Sequence, residues 1–177
     1  MNPELLEILL QATNPDTLAG LIDKHNLALD TIQALKDRME TFHASELVEV
    51  MRIAQLAYQL SLFMPMPAPS LGRWTLANAL LYTDHYHEAA PLYEQARTEY
   101  LATGSILDAA RMTVGYIFVL AYIGDSERAL SLANEAEALL SESSQIDATD
   151  RLRLGSLLMN LGVVHELLGQ YEEALAV

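Results

Sequence analysis

Asp84 to Ala90 reads DHYHEAA, and the same pattern returns as GDSERAL from Gly124 to Leu130 and as GQYEEAL from Gly169 to Leu175. Each copy opens on Asp or Gly, residues that tolerate the left-handed backbone in which helices commonly end. An aromatic residue or Ser follows two positions later, and a small Ala three positions after that, at Ala89, Ala129 and Ala174. The pattern predicts a helix stop, a tight turn and a second helix that crosses the first too closely for a larger side chain. Between these alanines the period is 40 and then 45 residues.

Working outward, the first repeat (about 70–104) pairs a helix of about 70–83 with one of about 86–102, whose Ala89, Tyr93, Ala96 and Tyr100 share one face. The second (about 105–146) pairs 108–123 with 126–141, and Ala129, Leu132, Ala133, Ala136 and Leu140 repeat that face. The third (147–177) runs a helix to Leu168, turns into Tyr171 and is incomplete, ending at Val177. The residues that lengthen the period fall around Gly104 and in 141–148, where they extend either the helices or the loops between repeats.

Upstream, residues 1–63 read as short helices that pack as two irregular hairpins. Leu5, Leu6, Leu9 and Leu10 form one apolar face that ends near Thr13. Asn14 and Pro15 then mark a helix start, because Asn caps free amides and proline fits the first helical position. Ile32, Leu35, Met39 and Phe42 mark a third helix. A fourth begins at Ser45 and carries Leu47, Val50, Met51, Ala54, Ala57 and Tyr58. Prolines 65, 67 and 69 predict an extended joint over 64–69 that separates this segment from the repeats at 70–177.

Composition narrows the function. The chain has 24 acidic and 10 basic residues, a net charge of −14, and no basic block that could neutralise a phosphate backbone, so nucleic acid is a poor partner. It has no cysteine, which removes disulfides, zinc thiolates and a cysteine nucleophile. The opening MNPELLEILLQ places Glu4 and Glu7 where a signal peptide needs positive charge, and no apolar run reaches the ~18 residues of a membrane span. A cytoplasmic location without membrane attachment is expected. Strand-type runs are absent, and the alanine- and leucine-rich pattern reads as all-α.

Chemistry-bearing residues are scattered. His85 and His87 flank Tyr86, but two residues apart at a helix start they point in different directions and lack a third ligand. His165 opens HELLG, where Gly169 stands in place of the second histidine of a zinc-protease helix, so His165 reads as part of a packing face. His25 and His43 lie near helix ends. Glu172 and Glu173 at a helix start complement the helix dipole, and Ser126 and Asp147 read as caps. No phosphate loop or nucleophile elbow is present, so the expectation is a protein that is not an enzyme and uses no cofactor and no metal.

Taken together, Leu161, Gly162, Gly169, Tyr171 and Ala174 in the third repeat, Gly124, Ala129 and Ala136 in the second, and Ala89, Tyr93 and Ala96 in the first resemble the tetratricopeptide (TPR) family in order and spacing. Ala77 and Ile117 stand where that family usually has its helix-crossing glycine, and the period exceeds its 34-residue unit. LYEQARTEYLATG and RLRLGSLLMNLGVVHELLGQYEEAL look most like the TPR regions of large bacterial regulators and of proteins with a C-terminal CHAT (caspase-like) domain.

The resemblance implies a right-handed superhelical array of antiparallel helix hairpins, an α-solenoid whose first helices line a concave groove. Carried over by position, that partner-binding groove holds Trp74, Asn78, Tyr82, Arg111, Phe118, Tyr122, Met159, Asn160 and Val163. The implied function is a protein-interaction scaffold that takes a peptide or protein segment as part of a longer protein. The alternative is a regulatory sensor in which a signalling peptide or small ligand controls a fused effector. The acidic chain favours a basic or neutral partner. Lys36 is the last lysine, which argues against capture of an acidic carboxyl terminus. The unfinished C-terminal hairpin suggests self-association as a homo-oligomer through an uncapped end.

Overall fold

A computed structural model describes residues 3–12, 14–42, 46–142, 148–167, 169–170 and 174. All regular structure among them is helical: α1 (Pro3–Gln11), α2 (Pro15–His25), α3 (Leu29–Glu40), α4 (Leu47–Ser61), α5 (Ala68–Tyr82), α6 (Tyr86–Ala102), α7 (Ile106–Tyr122), α8 (Ser126–Glu142) and α9 (Ala148–Leu167). The chain is all-α, as its periodicity predicts. It divides into two compact units, Met1–His85 and Tyr86–Val177. Tyr171, Glu172, Glu173 and Leu175 of the last expected helix, the helix-start residues Ser45 and Asp147, and His43 lie outside the described residues.

The turns are built alike. Asn26, Asp84, Gly104, Gly124 and Gly169 all have positive φ, from 49° at Asn26 to 88° at Gly124. In each case the next residue's N–H reaches back to the carbonyl five residues earlier: Leu27 to Ile22 at 3.0 Å, His85 to Leu80, Ser105 to Tyr100 and Asp125 to Leu120 at 2.8 Å, and Gln170 to His165 at 2.9 Å. This bond satisfies a carbonyl that the ending helix leaves open and reverses the chain at once. Gly104 therefore makes the same turn as Asp84 and Gly124, and the three stand 20 residues apart. Around Gly104 the lengthening lies in the helices, since α6 and α7 each have 17 residues.

In the first unit α4 is the centre, packed against α1, α2, α3 and α5, while α3 also meets α5. Asn14 caps α2 as its sequence predicts, accepting a 2.8 Å bond from the Asp16 N–H with Pro15 in the first turn. Ile32, Leu35 and Met39 of α3 and Val50, Ile53, Ala54, Ala57 and Leu60 of α4 are buried. The proline-rich stretch departs from the expected extended joint. It makes a tight connection with a cis Met66–Pro67 bond, and Pro69 falls in the first turn of α5, where its missing N–H has no helical partner to lose. The helices on either side pack together, so 64–69 joins two helices of one unit, and the division of the chain falls at 85/86. That packing is close. A Cβ added at Gly72 would sit 2.1 Å from Ser61 Oγ and 2.6 Å from Ser61 Cβ, so only glycine lets α5 approach α4 here.

In the second unit α7 packs against α6, α8 and α9, and α8 packs against α9. Ala89, Tyr93, Ala96 and Tyr100 of α6 and Ala129, Ala133 and Ala136 of α8 are buried on the shared face that their spacing predicts. Ala109 occupies the same place in α7, five residues after its turn glycine, and is buried too. Two ion pairs bridge α6 and α8: Arg97 to Glu135 at 2.6 Å, and Arg128 to Glu94.

Candidate interaction surface

The central helix of the second unit hides most of its circumference. Ala109, Ala110, Met112, Thr113, Tyr116, Ile117, Val119, Leu120 and Ala121 are buried. The stripe left open runs through Arg111, Val114, Gly115, Phe118 and Tyr122, the three-and-four spacing of one helix face. At its C-terminal end three rings gather. Tyr122 lies 4.6 Å from Phe118 and 4.9 Å from Tyr86, centroid to centroid, and Tyr86 meets Phe118 edge-on at 6.3 Å. Such offset and tilted contacts suit aromatic quadrupoles. Phe118 and Tyr86 are half-buried, whereas Tyr122 is 50% exposed. Tyr86 is there because the turn starts α6 beside the end of the antiparallel α7. The sequence shows that turn, but assigns Tyr86 only a turn role.

The rest of the expected groove separates into residues that hold the fold and residues that face outward. Trp74 and Asn78 are buried at 8% exposure each, in contrast to the accessible groove positions expected for them. The Lys36 ammonium lies 4.4 Å from the Trp74 ring centroid and pairs with Glu40, and the Asn78 amide donates to Glu40 at 3.4 Å. These contacts bind α5 to α3 and compensate the burial of a charged lysine. Asn160 donates its amide to the Val114 carbonyl at 2.8 Å, tying α9 to α7. Arg111 donates to Asp108 at 3.1 Å. Tyr82 is about half exposed at 48%, Val163 is half-buried and Met159 is 69% exposed.

Beneath the α6–α8 ion pairs lies a polar knot. Tyr93 and Tyr116 are buried and stacked at 5.5 Å, the Tyr116 hydroxyl donates to Glu94 at 2.7 Å, and the Arg128 guanidinium covers the Tyr116 ring at 5.6 Å. The hydrogen bond from Arg128 holds the Glu94 carboxyl below its ordinary value, against the opposing effect of desolvation and with help from Tyr116. Burial pushes the Tyr116 phenol up, reinforced by its bond to Glu94, and pushes Tyr100 up with help from Asp108 and Glu99.

His85 and His87 are exposed, and His85 Nδ1 meets Thr83 Oγ1 at 3.0 Å. His165 is only half-buried, and its Nδ1 meets Gln170 Oε1 at 2.9 Å, so it braces the following turn more than it fills a packing face. No group of three His, Cys, Asp or Glu among the described residues is arranged to hold a metal ion. No helix among them is long and apolar enough to cross a membrane. A cleft of about 160 Å³ in the first unit, lined by Pro15, Leu18, Gln59, Leu62 and Phe63, was not foreseen from the sequence. It is smaller than the roughly 300–1,000 Å³ of pockets that take drug-sized ligands.

Comparison with protein-family models, with curated proteins and with solved structures finds no match to this chain.

Proposed function

We propose that this protein is a cytoplasmic interaction scaffold, not an enzyme, and that its second unit is a piece of a TPR-like α-solenoid that captures a peptide or protein segment along the open stripe of α7. The observation that carries this reading is the ring cluster Tyr86, Phe118 and Tyr122, packed together at the surface with Tyr122 half exposed. Aromatic side chains grouped at a surface supply large contact area at low entropic cost and are the usual anchors of protein recognition. The helix pairing supports the solenoid reading: α7 contacts both its successor α8 and the next helix α9, as stacked hairpins must if each is to bury its face on the next. From residue 70 onward the chain carries 15 acidic and 6 basic residues, which favours a basic or neutral segment.

An array of immobilised synthetic peptides of varied charge tests this. The expected result is a bound set that is basic or neutral with apolar anchors, and whose signal Tyr122→Ala erases while moving the melting temperature by less than about 2 °C. Binding indifferent to Tyr122→Ala, or a chain that unfolds on losing that ring, would defeat the reading.

A further inference from the structure

Four other rings among the described residues carry one of the chain's own cations. Lys36 lies over Trp74 at 4.4 Å, Arg38 over Phe42 at 5.0 Å, Arg73 over Tyr58 at 6.0 Å and Arg128 over Tyr116 at 5.6 Å. Among the described residues no basic side chain lies over Phe118 or Tyr122, although Tyr122 is the most open ring of the second unit's surface cluster. The charges that flank the cluster in sequence are of one sign. Glu88 is in the first turn of α6, Asp125 follows Tyr122 in the turn, and Glu127 opens α8; all three are exposed. The last turn of α7 contains no basic residue, and Arg128 is already paired with Glu94. An electron-rich ring face on an acidic surface attracts a cation, and a planar guanidinium stacks on such a face while losing less hydration than an ammonium.

We infer that the segment captured at this surface is anchored by an arginine, whose guanidinium lies on the open face of Tyr122 with Tyr86 and Phe118 as supporting rings and Glu88 and Asp125 supplying the countercharge. This rests on the peptide-binding reading above and adds the chemistry of the anchor. The acidic balance draws basic segments in; the ring decides among them.

Fluorescence anisotropy of the whole chain, at physiological salt to suppress long-range attraction, separates the possibilities. The probes are a short labelled peptide alternating arginine with leucine, its counterpart with citrulline at each arginine, which keeps the shape without the charge, and its lysine counterpart. The arginine peptide is expected to bind about tenfold more tightly than the citrulline peptide and more tightly than the lysine one. Tyr122→Leu, which keeps apolar volume but removes the π face, should bring arginine binding down to the citrulline level, and Tyr122→Phe should preserve it. Equal binding of arginine and citrulline peptides, both weakened by Tyr122→Leu, would overturn the arginine anchor and leave peptide capture standing. Lysine binding as tightly as arginine would overturn the guanidinium. Arginine binding untouched by Tyr122→Leu would overturn the inference by placing the attraction elsewhere on the acidic surface. No binding of any of the three would overturn both the anchor and the surface.

Discussion

The two units solve the same packing problem by different means. In the second, regularity does it: α6, α7 and α8 have 17 residues each, and the same turn with an alanine five residues after it leads into each of the three. In the first, helices of 9 to 15 residues meet through individual contacts, namely a glycine under a serine and a lysine over a tryptophan. A repeated solution spreads the free energy over equivalent sites, so any one loss is modest. An irregular solution concentrates it, and a single atom in the wrong place is felt throughout.

The largest effect expected from this contrast is at Gly72. Gly72→Ala forces a Cβ to within 2.1 Å of Ser61 Oγ and 3.1 Å of the Tyr58 Cα, and the backbone atom cannot swing aside. We expect destabilisation at the upper end of overpacking, about 3 kcal/mol, read by denaturant titration of Trp74 emission, since Trp74 is the sole tryptophan and belongs to the first unit. Pairing it with Ser61→Gly should recover part of the loss, and strict additivity of the two changes would show that the contact is not where the strain arises. Next come Ala96→Leu and Ala136→Leu, each overpacking a fully buried position of the second unit by about 1–3 kcal/mol. If either costs more than Gly72→Ala, the claim that regular packing distributes its risk is wrong.

The smallest effect belongs to the α6–α8 ion pairs. Glu94 has its folded value held down from 4.5, so its contribution is fully present above that value and is lost as pH falls through the lower folded one. Because Arg128 and Glu94 are 42% and 48% exposed, Glu94→Gln should cost at most about 1 kcal/mol at neutral pH, less in high salt, and flatten the acid limb of the stability profile. A variant whose acid limb matches the parent's would show that other carboxylates control it.

The turns were the most legible part of the chain, because a left-handed residue restricts composition to Asp, Asn or Gly and leaves a mark that needs no knowledge of distant contacts. Gly104 was readable by the same mark, with Ala109 five residues on as Ala89 and Ala129 follow Asp84 and Gly124. A unit of two helices has twice the spacing of the turns, so a period measured from hairpin to hairpin skips Gly104. Pro91 lies inside α6, which continues through it as the apolar spacing over 86–102 predicts. The roles of Trp74, Asn78 and Asn160 are set by helices far off in sequence, the Asn78–Glu40 bond spanning 38 residues and the Asn160–Val114 bond 46. Spacing along one helix identifies its faces but not which of them a distant helix will cover, so it groups Phe118 with Tyr122 on one helix and leaves out Tyr86 on another.

The 20-residue beat of the turns from Asp84 through Gly124 gives the second unit a parity. Every turn reverses the chain, so a segment running from one turn residue to the next carries one reversal, and one spanning two beats carries none in sum. Excising a single beat, Gly104 to Ile123, would send every later helix in the opposite direction, although each junction would still be a well-formed turn. Excising or duplicating two beats would preserve direction. Chains of this build are therefore free to grow or shrink only in even steps.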